Sequence, residues 1–323
     1  MKWSWAFVAA VLAAPSFASP PSIPGDLSVM SYNVHGLPWP ITDGRRQALR
    51  LIGARLATMR QQGIEPKVVL LQEAFSGSAK AIARESQYPY VIEGPRRAER
   101  LAIQAEAGEY QFARGDKRLK GEGDGKFEDS GLLILSDYPI IEVQRMPYAS
   151  YACAGYDCLA NKGAVLVRIA VPGAAQPVAI LDTHLNSRGA SGVARSRADL
   201  AYGWQAEELR SFVANNIPLA SPAIVAGDFN IGQIGYRRAM ITGGAGVLPG
   251  SKDALRTAIA EGLKSPDEAA AEAIVRHGKD WMFGRSGAST VLTLERVTVP
   301  FGREPDGKSL SDHFGYVAYY RID

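Results

Sequence analysis

The sequence repeatedly builds an apolar stretch of strand length and closes it on a residue able to do chemistry. The clearest case is Ala223-Ile224-Val225-Ala226, a buried-strand run that meets Gly227 and then Asp228-Phe229-Asn230. Side chains alternate along a strand, so Asp228 and Asn230 point one way and Phe229 the other. A carboxylate and an amide on the same side of a strand end suit a hard cation and an oxygen of a phosphate or a water. Gly-Asp-x-Asn is also a good turn sequence, and the four residues alone do not choose between the two.

The same grammar recurs along the chain. Leu27 to Asn33 alternates and ends on Asn33; Lys67 to Gln72 delivers Glu73; Gln176 to Thr183 delivers His184. Asp280 opens the run Asp280-Trp281-Met282-Phe283, and Ser311-Asp312-His313 precedes a last strand from Phe314 to Arg321. Further strands are predicted at Tyr88–Ile92, Gly131–Ser136, Ile140–Met146, Lys162–Val171 and Thr290–Val297. Apolar residues at helical spacing (Leu49, Ile52, Leu56, Met59) predict a helix over Arg45–Met59, and others are read at Ser76–Ser86, Ala198–Asn215, Asp253–Leu263 and Asp267–Val275. Short strands following one another directly, with few helices between, favour two packed, mostly antiparallel sheets flanked by helices over a doubly wound parallel sheet. Residues 93–129 include the polar, glycine-rich stretch Gly115–Gly125, which reads as a mobile loop or, more sharply, a lid.

The ends of the chain say where it works. Met1-Lys2, an apolar run from Trp3 to Ala14 and small residues at Ser16 and Ala18 predict a signal peptide over residues 1–18, with a single catalytic domain over 19–323. The alternative is a retained anchor; the run is short for a bilayer span. A secreted or periplasmic protein is therefore expected. In that setting the only two cysteines, Cys153 and Cys158, are expected to form a disulfide closing a small loop. With 36 basic and 33 acidic residues, the charge balance argues for neither a nucleic-acid surface nor a polybasic membrane patch.

The strand-end residues also work as a set. Glu73, Asp228 and Asp312 with the amides Asn33 and Asn230 are all-oxygen donors, which select magnesium, manganese or calcium over zinc. His184 and His313 add groups that titrate near neutral pH. Phosphodiester hydrolysis needs these parts: a cation, a base for water, and donors for the phosphoryl oxygens.

Ser31-Tyr32-Asn33, Leu71-Gln72-Glu73, Thr183-His184-Leu185, Gly227-Asp228-Phe229-Asn230, Lys279-Asp280-Trp281-Met282-Phe283 and Ser311-Asp312-His313 resemble, in order, the motifs of the endonuclease/exonuclease/phosphatase superfamily. The resemblance implies a four-layered αββα sandwich. It makes Glu73 the main metal ligand, with Asn33 beside it or on the phosphate and Asp312 binding metal or tuning the site. It makes His313 the base or the holder of the attacking water, with Asp280 orienting it. Asp228 would position the nucleophile or a second metal, and Asn230 and His184 would bind phosphoryl oxygens.

Asn33-Val34-His35-Gly36-Leu37-Pro38-Trp39, Asp129 to Ser136 and Leu159-Ala160-Asn161-Lys162-Gly163 look like the secreted neutral sphingomyelinase branch, with Lys162 a positive charge for the phosphate. That branch implies a phospholipid substrate, Mg²⁺ (Mn²⁺ or Ca²⁺ as alternatives), a peripheral membrane-surface contact and a monomer. Tyr148, Tyr151, Tyr156 and Trp39 are candidates for an aromatic rim. The rivals are a secreted nuclease acting on nucleic acid, for which Arg96, Arg97 and Arg100 would supply a basic groove, and a phosphomonoesterase for inositol or sugar phosphates.

Overall fold

A computed structural model describes residues 26–38, 41–102, 107–263 and 267–323. The expected signal peptide and Trp39 lie outside the described residues. The strands are β1 (Asp26–Asn33), β2 (Val68–Gln72), β3 (Tyr90–Glu93), β4 (Leu133–Ser136), β5 (Ile140–Pro147), β6 (Gly163–Ile169), β7 (Val178–His184), β8 (Ala223–Asp228), β9 (Lys252–Asp253), β10 (Asp280–Arg285), β11 (Leu292–Phe301) and β12 (Gly315–Ile322). They form two six-stranded sheets, ordered β11-β12-β1-β2-β4-β3 and β5-β6-β7-β8-β10-β9.

The helices are α1 (Arg45–Gln61), α2 (Gly77–Ser86), α3 (Ala107–Arg114), α4 (Arg195–Asn216), α5 (Gly235–Thr242), α6 (Ala254–Ala260) and α7 (Glu268–His277). Most neighbouring strands run antiparallel; β1–β2 and β7–β8 are parallel. A parallel pair needs a long crossover, and α1 and α4 supply the two.

Strand periodicity builds the layers. Val29, Val68, Leu70, Val167, Ile180, Ile224 and Met282 face inward and make the core between the sheets. Their neighbours Met30, Val69 and Leu71 face the other way, onto Leu49, Ile52 and Leu56 of α1 and Ile82 of α2. On the opposite side Leu181, Val225, Trp281 and Phe283 pack on Tyr202, Leu209 and Val213 of α4. This is the αββα sandwich. No helix among the described residues is long and apolar enough to cross a membrane.

Three elements were not expected from the sequence: α3, α5 and the two-residue strand β9. The stretch 115–125 also differs from a plain glycine-rich loop. It carries a 3₁₀ turn at Arg118–Lys120, and Glu122 is buried. Glu122 accepts from Arg197 Nε at 2.9 Å and from the amides of Lys117 and Gly155. A partner 75 residues away along the chain leaves no local trace in sequence.

Candidate active site

Asn33, Glu73, His184 and Asp228 all stand at the C-terminal ends of the parallel strands β1, β2, β7 and β8. The register of the inward face carries through to the ends of β1, β7 and β8 for Asn33, His184 and Asp228; Glu73 has the opposite parity on β2, and its left-handed backbone (φ 55°) turns it back into the same crevice above the inter-sheet core. The antiparallel strands complete the group: Asp280 opens β10 directly opposite Asp228, and His313 lies just before β12. Beneath them the sheets are joined by a polar pair, Gln72 Nε2 donating to Asp182 Oδ1 at 2.7 Å. Burial pushes the Asp182 carboxyl well above its usual range, which favours the protonated form there.

The backbone at the site is unusual. Of the four non-glycine residues with left-handed φ among the described residues, three are His35, Glu73 and Asn230. Such conformations cost of the order of 1–3 kcal/mol and cluster where geometry serves function. Gly227 has φ 141°, and a Cβ there would lie 2.0 Å from the Thr183 carbonyl oxygen. Only glycine lets β8 approach β7 closely enough to bring Asp228 beside His184.

Asn33 Nδ2 donates to Glu73 Oε1 and to Asp228 Oδ2, each at 3.0 Å. The amide thus bridges carboxylates from opposite sheets. Burial pushes Glu73 above the ordinary carboxylate range, and Asp228 nearby adds to the rise. Among the described residues no cationic side chain forms a salt bridge with Glu73. For Asp228, burial opposes the charge, but His313, Lys279 and Lys162 outweigh it and hold the carboxyl well below its usual range.

His313 is a buried imidazole between two carboxylates. Its Nδ1 lies 2.8 Å from Asp280 Oδ2 and its Nε2 3.7 Å from Asp228 Oδ2. Burial alone would keep it neutral; Asp280 and Asp228 overcome that and push it up to about 10. Burial raises the Asp280 carboxyl in turn, and His313 beside it pulls the other way.

Lys162 is no solvated strand-start lysine. It is buried, with Nζ 2.8 Å from Asp157 Oδ1, 3.1 Å from the Leu185 carbonyl and 3.1 Å from His184 Nε2. An ammonium has donors only, so His184 Nε2 accepts from it and the imidazole proton belongs on Nδ1. Burial, and then Lys162, hold His184 well below its ordinary value, so it is neutral. Asn230 Nδ2 donates to the Leu185 carbonyl, and Asp228 Oδ1 accepts from the Asn230 amide.

The family model that matches this chain is the endonuclease/exonuclease/phosphatase family, over residues 30–313. The chain belongs to that family. Its members are metal-dependent phosphoric ester hydrolases, and so is this enzyme. No curated protein sequence matches it significantly. Among solved structures it is similar to sphingomyelinase C from Streptomyces griseocarneus, at 22% identity and TM-score 0.60 over 91% of this chain and 99% of the other. The beta toxin of Staphylococcus aureus with bound magnesium ions is similar at 20% identity and TM-score 0.57, over 91% and 99%. D. rerio TDP2 complexed with a single-strand DNA product is similar at 15% and 0.56, over 92% and 99%.

A divalent cation fits the residues of this hydrolase. Glu73, His184 and Asp228 offer ligand atoms within 4.8 Å of one another; Asn33, expected as a ligand, instead donates its Nδ2 to both carboxylates while its Oδ1 accepts from the His35 amide, so it orders the carboxylates. A buried carboxylate pair with an amide across it is a site that positive charge relieves. Asp312 is set apart: it lines the same cleft, but its nearest ionic partner is His35 Nδ1 at 3.2 Å. Burial works against its charge, and His313, His35 and Lys279 hold it below its usual range. His277, at the end of α7, forms a second compact group with Asp280 and His313.

Sequence reading missed Asp157, Lys279 and His35. Asp157 sits inside the Cys153–Cys158 disulfide, on a 3₁₀ turn at Gly155–Leu159 that carries its carboxylate to Lys162. Its signal was its place within a short disulfide loop beside Asn161-Lys162-Gly163. Lys279 directly precedes Asp280, and nothing in its local pattern marks it as part of the site.

The aromatic rim needs correction. Tyr148 is buried and bonded to Thr183 Oγ1 at 2.7 Å, because the loop after β5 turns it inward. Tyr151 packs edge-on against Trp204. Tyr156 alone of the three lines the cleft. Arg96, Arg97 and Arg100 are exposed, outside the cleft lining.

Proposed function

We propose that the enzyme is an exported Mg²⁺-dependent phosphodiesterase that hydrolyses a phospholipid in a sphingomyelinase C-type reaction. The observation that carries this reading is the mixed character of the cleft. Its lining combines the polar group of Glu73, His184, Asp228, Asn230 and His313 with apolar Leu37, Ile41, Phe75 and Leu159, in a cavity of about 500 Å³. A phosphodiester bearing an acyl chain meets both kinds of surface.

A divalent cation, when bound, offsets charge on the phosphoryl oxygens and makes bound water more acidic. Glu73 and Asp228 are the residues that would hold it, with Asn33 fixing both carboxylates and Asp312 as a further carboxylate on the cleft wall. His313 in its neutral form takes the proton of the attacking water at Nε2, while Asp280 holds Nδ1 and the ring plane. Water oxygen bonds to phosphorus, the bond from phosphorus to the lipid oxygen breaks, and that oxygen takes up a proton and leaves as the lipid alcohol, which balances the proton held on His313. Lys162, held against Asp157 and His184, supplies positive charge and the Asn230 amide a donor for the oxygens that gain charge. The signal peptide over residues 1–18, export and a monomeric mature chain from Ser19 belong to the same proposal.

The test is a substrate panel: the mature chain with Mg²⁺ on sphingomyelin liposomes, plasmid DNA and phosphoinositides. Phosphocholine release is the expected result. DNA nicking without phosphocholine release would replace the lipid reading with the nuclease one.

A further inference from the structure

The segment 115–127 follows α3 and leans on the cleft mouth. A Cβ at Gly121 would touch the Leu159 side chain, and Lys120 lies over the ring of Tyr156, 5.3 Å from its centroid. Both Leu159 and Tyr156 line the cleft. At the tip of this segment Leu119 is 97% exposed, the most exposed large apolar residue among those described. It stands within Lys117-Arg118-Leu119-Lys120, all four exposed. Phe127, 60% exposed, donates its amide to the carbonyl of the cleft-lining Leu159, and Tyr156, itself in the cleft lining, is 46% exposed.

Charge in the segment is sorted. Two of its three acids turn inward: Glu122 is buried against Arg197, and Asp116 reaches the same guanidinium at 3.4 Å. Asp124 stays exposed. The outward face is therefore apolar at its tip and mainly cationic around it. An exposed leucine ringed by lysine and arginine is a poor solvent-facing design and a good interfacial one. The apolar tip enters the acyl boundary while the cations remain with anionic headgroups.

We propose that this segment is the enzyme's membrane-docking surface, with Leu119 and Phe127 entering the bilayer and Lys117, Arg118 and Lys120 engaging anionic lipids. Docking there presents the cleft mouth to the membrane. The proposal rests on the phospholipid reading for its purpose, but its test does not require turnover.

The test is co-sedimentation with phosphatidylcholine vesicles, with and without about 30 mol% phosphatidylglycerol, a composition chosen to give a negative surface. Leu119→Asp combined with Phe127→Ser is expected to weaken binding to the anionic vesicles about tenfold, while turnover of a soluble phosphodiester is unchanged. In a second arm, Leu119→Trp is expected to shift its emission to the blue on the same vesicles and to be quenched by brominated acyl chains. Undiminished binding by the double variant, or an unshifted Trp signal, would overturn the docking surface. Docking without phosphocholine release would leave it standing and count against the substrate reading alone.

Discussion

Asp280→Asn is the perturbation from which most can be read. Asp280 Oδ2 lies 2.8 Å from His313 Nδ1, and Asp280 precedes Asp228 among the groups that lift His313 to about 10. The rise from an ordinary value near 6.5 corresponds to roughly 5 kcal/mol of preference for the charged ring. With the charge of Asp280 gone, burial and the Coulomb repulsion of Lys279 press the ring back toward neutrality.

If neutral His313 accepts the proton of water, activity rises with pH as the ring deprotonates. The acid limb of kcat/KM in Asp280→Asn must then move to lower pH by at least one unit, on the order of the smaller one-partner shifts. A bound cation lowers the limb in both enzymes, so the difference is the quantity to read. The plateau is expected to fall about 10²- to 10⁴-fold, because the amide no longer fixes the ring's tautomer and plane. The assay is the pH profile on bis(p-nitrophenyl) phosphate with Mg²⁺. A lowered plateau with an unmoved acid limb would refute the assignment of His313 as the titrating base.

Three further outcomes follow from the framework around the site. Gly227→Ala places a methyl against the Thr183 carbonyl and is expected to cost about 3 kcal/mol or more in urea unfolding, with metal binding weakened alongside. Gln72→Leu strips Asp182 of its donor and should cost about 1–3 kcal/mol, whereas Asp182→Asn keeps an amide-sized group in the same place. The folded-state pKa of Asp182 is raised, so the native state holds a proton the unfolded chain has lost. Wild-type stability therefore falls as pH rises past the unfolded value, and the advantage of Asp182→Asn over wild type should grow from pH 4 to pH 8. Reduction of Cys153–Cys158 opens a six-residue loop and should cost about 2 kcal/mol by chain entropy. It is expected to loosen the Asp157–Lys162 contact and lower turnover while Mg²⁺ affinity, read by calorimetry, stays within about twofold of the oxidised enzyme.

The sequence was most legible where its local pattern and the fold agree. Alternation marks β1 and apolar runs of strand length mark β2, β7 and β8; running the two-residue side-chain period on to the strand ends puts Asn33, His184 and Asp228 on the inward side, where the structure has them. What stayed hidden depends on contacts between distant residues. The order of 115–125 comes from Arg197, and the role of Lys162 comes from an aspartate brought over by a disulfide. Tyr148 and Tyr156 are eight residues apart in one aromatic cluster; the first is buried and the second exposed, and composition does not distinguish them. Helix α5 escaped notice because Gly235 to Thr242 is short and its anchor, Arg237, is a charged residue. Arg237 is fully buried, donating to the Asn186 and Asn230 carbonyls.

Water attack on phosphorus at a metal-dependent site is the central claim, and isotope transfer tests it most directly. Sphingomyelin liposomes are hydrolysed in ¹⁸O-enriched water with Mg²⁺, and both products are weighed by mass spectrometry. The label should appear in the phosphate of phosphocholine, with none in the lipid alcohol, and all of it should vanish with chelator or in His313→Ala. Label in the lipid alcohol, or turnover that survives chelation, would contradict the account.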